Sequence, residues 1–79
     1  MKLIALNQDQ IAEIIRLSGD ERIIARLHSH GVHVGQSIRL VKKAPFKGPL
    51  LLEDCQSGAK IMVSRSIAAH VEVMLEKVL

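Results

Sequence analysis

The chain has 79 residues, enough for one small domain, and 48% of them are apolar, which is ample for a single core. Phe46 is the only aromatic residue, so that core has to be built from Ile, Leu, Val and Ala. Eleven Lys+Arg against eight Asp+Glu leave a net charge of +3, too slight an excess for a dedicated nucleic-acid binder. A multidomain enzyme, a large cofactor cleft and a disordered chain are all excluded. The single cysteine, Cys55, rules out an internal disulfide and points to the cytosol. The apolar run at the N-terminus stops at Asn7-Gln8-Asp9-Gln10, too early for a secretory segment. No stretch approaches the ~18 apolar residues of a membrane span.

Residues 11–17 read as a first strand, with Ala12, Ile14 and Leu17 as its apolar points and Ser18-Gly19 as its end. Asp20 is placed to cap a helix, and Glu21 suits its first turn. Ile23, Ile24 and Leu27 make the helix's apolar stripe, with Arg22, Arg26 and Ser29 away from it. Gly31 is positioned to end it in the left-handed conformation. Residues 36–43 form a second strand, in which Ile38 and Leu40 alternate with Ser37 and Arg39. Pro45, Gly48 and Pro49 mark the next turn. Leu50-Leu51-Leu52-Glu53 is a third strand, and one leucine of the three has to face away from the core. Gln56-Ser57-Gly58 is a turn, and residues 59–63 form a fourth strand with Met62 on the face opposite Ile61 and Val63. A helical turn from Ser64 to Ala69 and a last strand from Val71 to Leu75 complete the order. Five short strands with one short helix and one helical turn predict a mainly β fold. A closed or nearly closed SH3-like barrel removes the exposed edges and fits best.

The cluster Gly19-Asp20, Ala25-Arg26-Leu27, Gly31 and Val34-Gly35 resembles the start of the ferrous iron transport protein A (FeoA) family. The run Lys43-Ala44-Pro45-Phe46-Lys47-Gly48-Pro49-Leu50 is similar to that family's turn between strands, and the segment from Val63 to Val73 to its last turn and strand. The chain departs from the pattern at His30, where the family often has Leu, and at Val34, where it often has Pro. It also departs in the turn at Asp9, where Gly is common. The resemblance implies a single domain over residues 1–79 that acts as a small cytosolic accessory of ferrous iron transport protein B. That partner is a membrane protein with a cytosolic GTP-binding domain, so the chain is expected in the cytoplasm or at the inner membrane face through its partner. It implies no required cofactor. A similar domain ends the iron-dependent repressors of the diphtheria-toxin-repressor type, whose DNA-binding helices this chain lacks.

No nucleophile elbow and no phosphate-binding lysine loop occur, so no catalytic residue is assigned and the chain is not expected to be an enzyme. Partner contact is expected at the turn residues Pro45, Phe46, Lys47, Pro49, Leu50 and Leu51, and then on the helix face at Arg22, Arg26 and His30. Phe46 is expected to plug one end of the barrel, with exposure as an interface anchor as the alternative. Arg39, Lys42, Lys43 and Lys47 form a basic cluster read as a solvated face or a site for an acidic protein. The rival function is a transition-metal site. His28, His30 and His33 lie close in sequence, and imidazole suits Fe, Zn, Cu and Ni, although a firm site needs three or four converging ligands. No nucleic acid and no membrane insertion are expected. Pairing of copies through short edge strands is left open.

Overall fold

A computed structural model describes residues 1–76. A 3-10 turn at Leu3–Ala5 precedes strand β1 (Ile11–Leu17), helix α1 (Glu21–Ser29) and strands β2 (Ser37–Lys43), β3 (Leu50–Asp54) and β4 (Lys60–Val63). Helix α2 (Arg65–Ala68) and strand β5 (Val71–Leu75) follow. The element order is the one expected from the sequence, and the fold is mainly β with two short helices. Element ends shift by a residue or so, as at Gln36, whose side chain turns inward just before β2 begins.

The five strands form one antiparallel sheet in the order β4-β3-β2-β1-β5. Of the closed and nearly closed forms expected, full closure does not occur, because β4 and β5 are the two edges and do not pair with each other. The outer edge of β5 is occupied from another direction. Val73 exchanges both backbone hydrogen bonds with Met1, at 2.7 and 2.9 Å, and Lys2 bridges to Glu72. With those groups satisfied by the N-terminus, β4 has no ladder to join. The 3-10 turn packs against α2 and β5 and carries Leu3 into the core.

The core is aliphatic throughout. Ala12, Ile14, Ile38, Leu40, Leu50, Leu52, Ile61, Val63, Val71 and Val73 come from the sheet, and Leu27, Ile67 and Ala68 from the helices. Two bulges set its phase. Ile15 is the extra residue where β1 passes β5, so Ala12 and Ile14 lead to Leu17 rather than Arg16. Val41 is the extra residue where β2 passes β3, so Lys42 pairs with Leu51 and Lys43 with Leu50. The shift turns Lys43 toward the N-terminal segment, where its Nζ donates to the Ile4 carbonyl at 2.6 Å.

Helix α1 is delimited by its ends. The Asp20 carboxylate accepts from the Ile23 N–H at 3.0 Å. At the other end Gly31 adopts φ +89°, its N–H donates to the His28 carbonyl at 3.0 Å, and the Val32 N–H donates to the Leu27 carbonyl at 2.9 Å. This is a Schellman ending, completed by the burial of both Leu27 and Val32. Asp9, in the turn where the family resemblance favours Gly, takes φ +70° and offsets that conformation by an ion pair to Arg39 at 2.6 Å.

Candidate partner-binding face

The β2–β3 connection is a tight turn. The Gly48 N–H donates to the Pro45 carbonyl at 3.1 Å, and the Ala44 N–H donates to the Pro49 carbonyl at 2.9 Å. Between them Phe46 and Lys47 sit at φ +58° and +57°, the two left-handed positions of a type I′ turn that normally selects Asn and Gly. Gly48 is required by space. A Cβ there would lie 2.8 Å from the Ala44 Cβ and 3.0 Å from the Pro45 carbonyl oxygen. The Arg65 Nε donates to the Gly48 carbonyl at 3.2 Å and braces the turn from α2.

The Phe46 ring is fully exposed, so it does not plug the core; the alternative of an exposed side chain is the one adopted. A turn whose central residues point outward cannot deliver a side chain into the sheet interior. Pro45, Lys47 and Pro49 are likewise exposed. Leu50, in contrast, is completely buried, so its side chain offers nothing to a partner. Leu51 is the outward leucine of the three and is half-buried.

Cross-strand register explains what surrounds Leu51. It pairs with Lys42 on one side and Met62 on the other. These three residues, with Ala44, Pro45 and Pro49, line a recess of about 220 Å³ on the outer face of the sheet. Met62 is one of the exposed large hydrophobic residues. Met62 was not among the expected contact residues, although the strand alternation already placed it on the outer face, and Lys42 was expected only within the basic cluster. Phe46 and Lys47 do not line the recess. Roomier hollows of about 580 and 520 Å³ lie by Asp20–Arg22 and by Glu13 and Met74–Glu76, but neither joins an apolar floor to a cationic rim.

On α1, Arg22, Arg26 and His30 stand away from the buried stripe. No α1 residue lines the recess, so the two expected contact groups are separate surfaces. His28, His30 and His33 are all exposed and do not converge. Among the described residues, no three His, Cys, Asp or Glu side chains come together as metal ligands. His30 caps the helix and His33 lies beyond the Gly31 turn, so the chain direction separates them.

The carboxylates near this sheet are already engaged. Glu53 meets Lys60 at 2.7 Å and Arg39 at 3.2 Å, and these hydrogen bonds, Lys60's first, hold its carboxyl below the ordinary value. Asp54 accepts from the Gln36 Nε2 at 2.8 Å and from the backbone N–H groups of Gln56 and Ser57. These bonds, Gln36's first, lower its pKa as well. Gln36 is the one buried polar residue among those described. Its Nε2 also donates to the Gly31 carbonyl at 2.9 Å, and its Oε1 accepts from the His33 N–H at 3.3 Å. This amide ties the end of α1 to the β3–β4 turn. The sequence carries no sign of that role, since an isolated Gln before a strand reads as surface.

The comparisons follow the same outline. The FeoA domain matches residues 1–75. The iron(II) transport protein A of Clostridium thermocellum superposes with a TM-score of 0.85 at 27% identity, covering 95% of this chain and 45% of that one. A crystal structure of an iron uptake regulatory protein (FeoA) gives 0.83 at 17% identity, with 96% of each chain covered. A manganese-dependent transcriptional repressor shares the fold at 0.88 and 19% identity, but this chain spans only 36% of its length. No relative was found among the curated proteins. With the domain match extending over nearly every described residue, the chain belongs to the FeoA family.

Proposed function

We propose that this chain is an accessory binding module of ferrous iron uptake. It docks on the cytosolic part of the membrane ferrous iron transporter, ferrous iron transport protein B, and modulates it by contact, with no covalent step of its own. The observation that carries the reading is the recess on the outer face of β2, β3 and β4. Pro45, Pro49, Leu51 and Met62 offer apolar surface there, and Lys42 borders it. An apolar recess with a cationic rim suits an apolar segment flanked by carboxylates. The second candidate surface is the α1 face of Arg22, Arg26 and His30. Family membership supplies the iron-uptake context. The C. thermocellum relative, an iron(II) transport protein A, supports it from the sequence side.

The test is a titration of the purified cytosolic domain of the cognate transporter with the full chain. Binding is expected at a Kd on the order of tens of micromolar or tighter. Met62→Glu places a carboxylate in the recess and is expected to weaken binding by about tenfold or more. An Arg22→Ala/Arg26→Ala pair separates the helix face from the recess. No binding by the wild-type chain would refute the proposal.

A further inference from the structure

The tip of the β2–β3 turn is chemically unlike the recess beside it. Phe46 is fully exposed, outside the recess, and is held at φ +58° in a turn braced by the Gly48–Pro45 and Arg65–Gly48 hydrogen bonds. Its surroundings are cationic. No Asp or Glu occurs between Glu21 and Glu53, and none between Asp54 and Glu72. Lys42 and Lys47 are exposed, while Lys43 and Arg65 are half-buried and anchored through backbone carbonyls. None of these four cations takes part in an ion pair among the described residues. The ion pairs found use Arg39 and Lys60, with Asp9 and Glu53.

We propose that this tip is a contact for an anionic lipid surface, with Phe46 at headgroup depth and Lys42 and Lys47 as its charged collar. A single ring on a convex tip has no shaped pocket around it to specify a protein ligand. A fluid headgroup layer needs no such pocket, because it closes around an apolar tip while its anionic lipids gather at the lysines. A protein interface anchor, by contrast, draws its energy from a fully enclosed site. The contact is peripheral and requires no spanning element. No helix among the described residues is long and apolar enough to cross a membrane. The proposal does not rest on the transporter contact. A chain that binds vesicles and ignores the transporter, or the reverse, separates the two readings.

The chain has no Trp and no Tyr, so Phe46→Trp introduces a single fluorophore at the tip. With vesicles of about 30% phosphatidylglycerol in phosphatidylcholine, at low salt, the emission of this introduced indole is expected to shift to the blue and the wild-type chain to co-sediment. Pure phosphatidylcholine vesicles should give little of either effect, and about 0.5 M salt should abolish the binding. Lys42→Ala and Lys47→Ala are each expected to weaken the partition about fivefold. Phe46→Ala should weaken it severalfold while leaving the circular dichroism melt intact. The proposal is overturned by an unshifted indole spectrum in the Phe46→Trp variant, by equal vesicle binding of the wild type and Phe46→Ala, or by retention on a short RNA without any on the vesicles.

Discussion

The β2–β3 turn keeps Phe46 and Lys47 in a backbone region that favours Asn and Gly, so replacing them with Asn and Gly ought to stabilise the fold. Left-handed backbone costs an ordinary L-residue about 1 kcal/mol or somewhat more. Asn recovers part of that and Gly all of it, while Gly's greater freedom in the unfolded chain takes back about 0.5–1 kcal/mol. The lost side chains contribute nothing to the opposite side. Phe46 is fully exposed and Lys47 takes part in no ion pair among the described residues, so no packing or buried polar contact is sacrificed. The net gain for Phe46→Asn/Lys47→Gly is about 1 kcal/mol, which for a domain of this size raises Tm by about 4–8 °C. A thermal melt followed by circular dichroism measures it, with a urea titration to check that the m-value is unchanged. The same variant should lose vesicle binding, since ring and charge are gone together. A fall in Tm would refute the reasoning, because it would mean that the Phe46 ring packs on the domain in solution.

Gly48→Ala should destabilise the chain by about 1–3 kcal/mol, since the new Cβ meets both the Ala44 Cβ and the Pro45 carbonyl oxygen, and a melt at matched pH reads it. Leu27→Ala, at the buried end of the α1 stripe, should cost about 2–5 kcal/mol in chemical denaturation. Gln36→Leu removes the amide that serves Gly31, His33 and Asp54 and should cost about 2–3 kcal/mol, with amide exchange rising first in the 31–36 segment and the β3–β4 turn. Acid should destabilise the wild type through Glu53 and Asp54. Both carboxyls titrate lower in the folded chain than in the unfolded one, so their contribution is complete above the ordinary carboxylate range. It is lost as pH falls through their folded values. Melts across the acid limb should show that loss, and Gln36→Leu should reduce it by removing the largest cause of the Asp54 shift.

The elements and the core were readable because both follow from alternation and punctuation. Asp20 and Gly31 bracket α1 by their own chemistry, and the stripe Ile23, Ile24, Leu27 can face only one way. The spacing of Ala12, Ile14 and Leu17 breaks strict alternation, and a bulge at Ile15 is its structural counterpart. The bulge at Val41 was not readable. Strict alternation from Ile38 and Leu40 would carry Lys42 inward, and only the pairing with β3 shows that it stands beside Leu51 on the outer face. Full barrel closure failed for a related reason. Whether Met1 or β4 satisfies the free edge of β5 depends on where the N-terminal segment returns in space, and local propensity does not encode that. Buried Gln36 was invisible because its value lies in three partners distant from one another in the chain.

The net charge of +3 understates how polar this surface is, because the charges are sorted. Near the far ends of β2 and β3, carboxylates and cations cancel, as Arg39 bridges Asp9 and Glu53 while Lys60 closes on Glu53. At the turn end of the same two strands, Lys42, Lys43, Lys47 and Arg65 form no ion pair among the described residues, and the only aromatic ring stands among them. Uniform scatter of the same residues would leave a weak field everywhere, screened within about 8–10 Å at physiological salt. Sorting concentrates that field at one end, where it can act on a surface approached end-on. The fold contributes the sorting through the Val41 bulge, which places Lys42 on the outer face and sends Lys43 toward the N-terminal segment. Because Val41 is the extra residue, its deletion should give a regular ladder that still sets Lys42 opposite Leu51 and Lys43 opposite Leu50, so the recess and its cationic rim should survive the loss of the bulge itself.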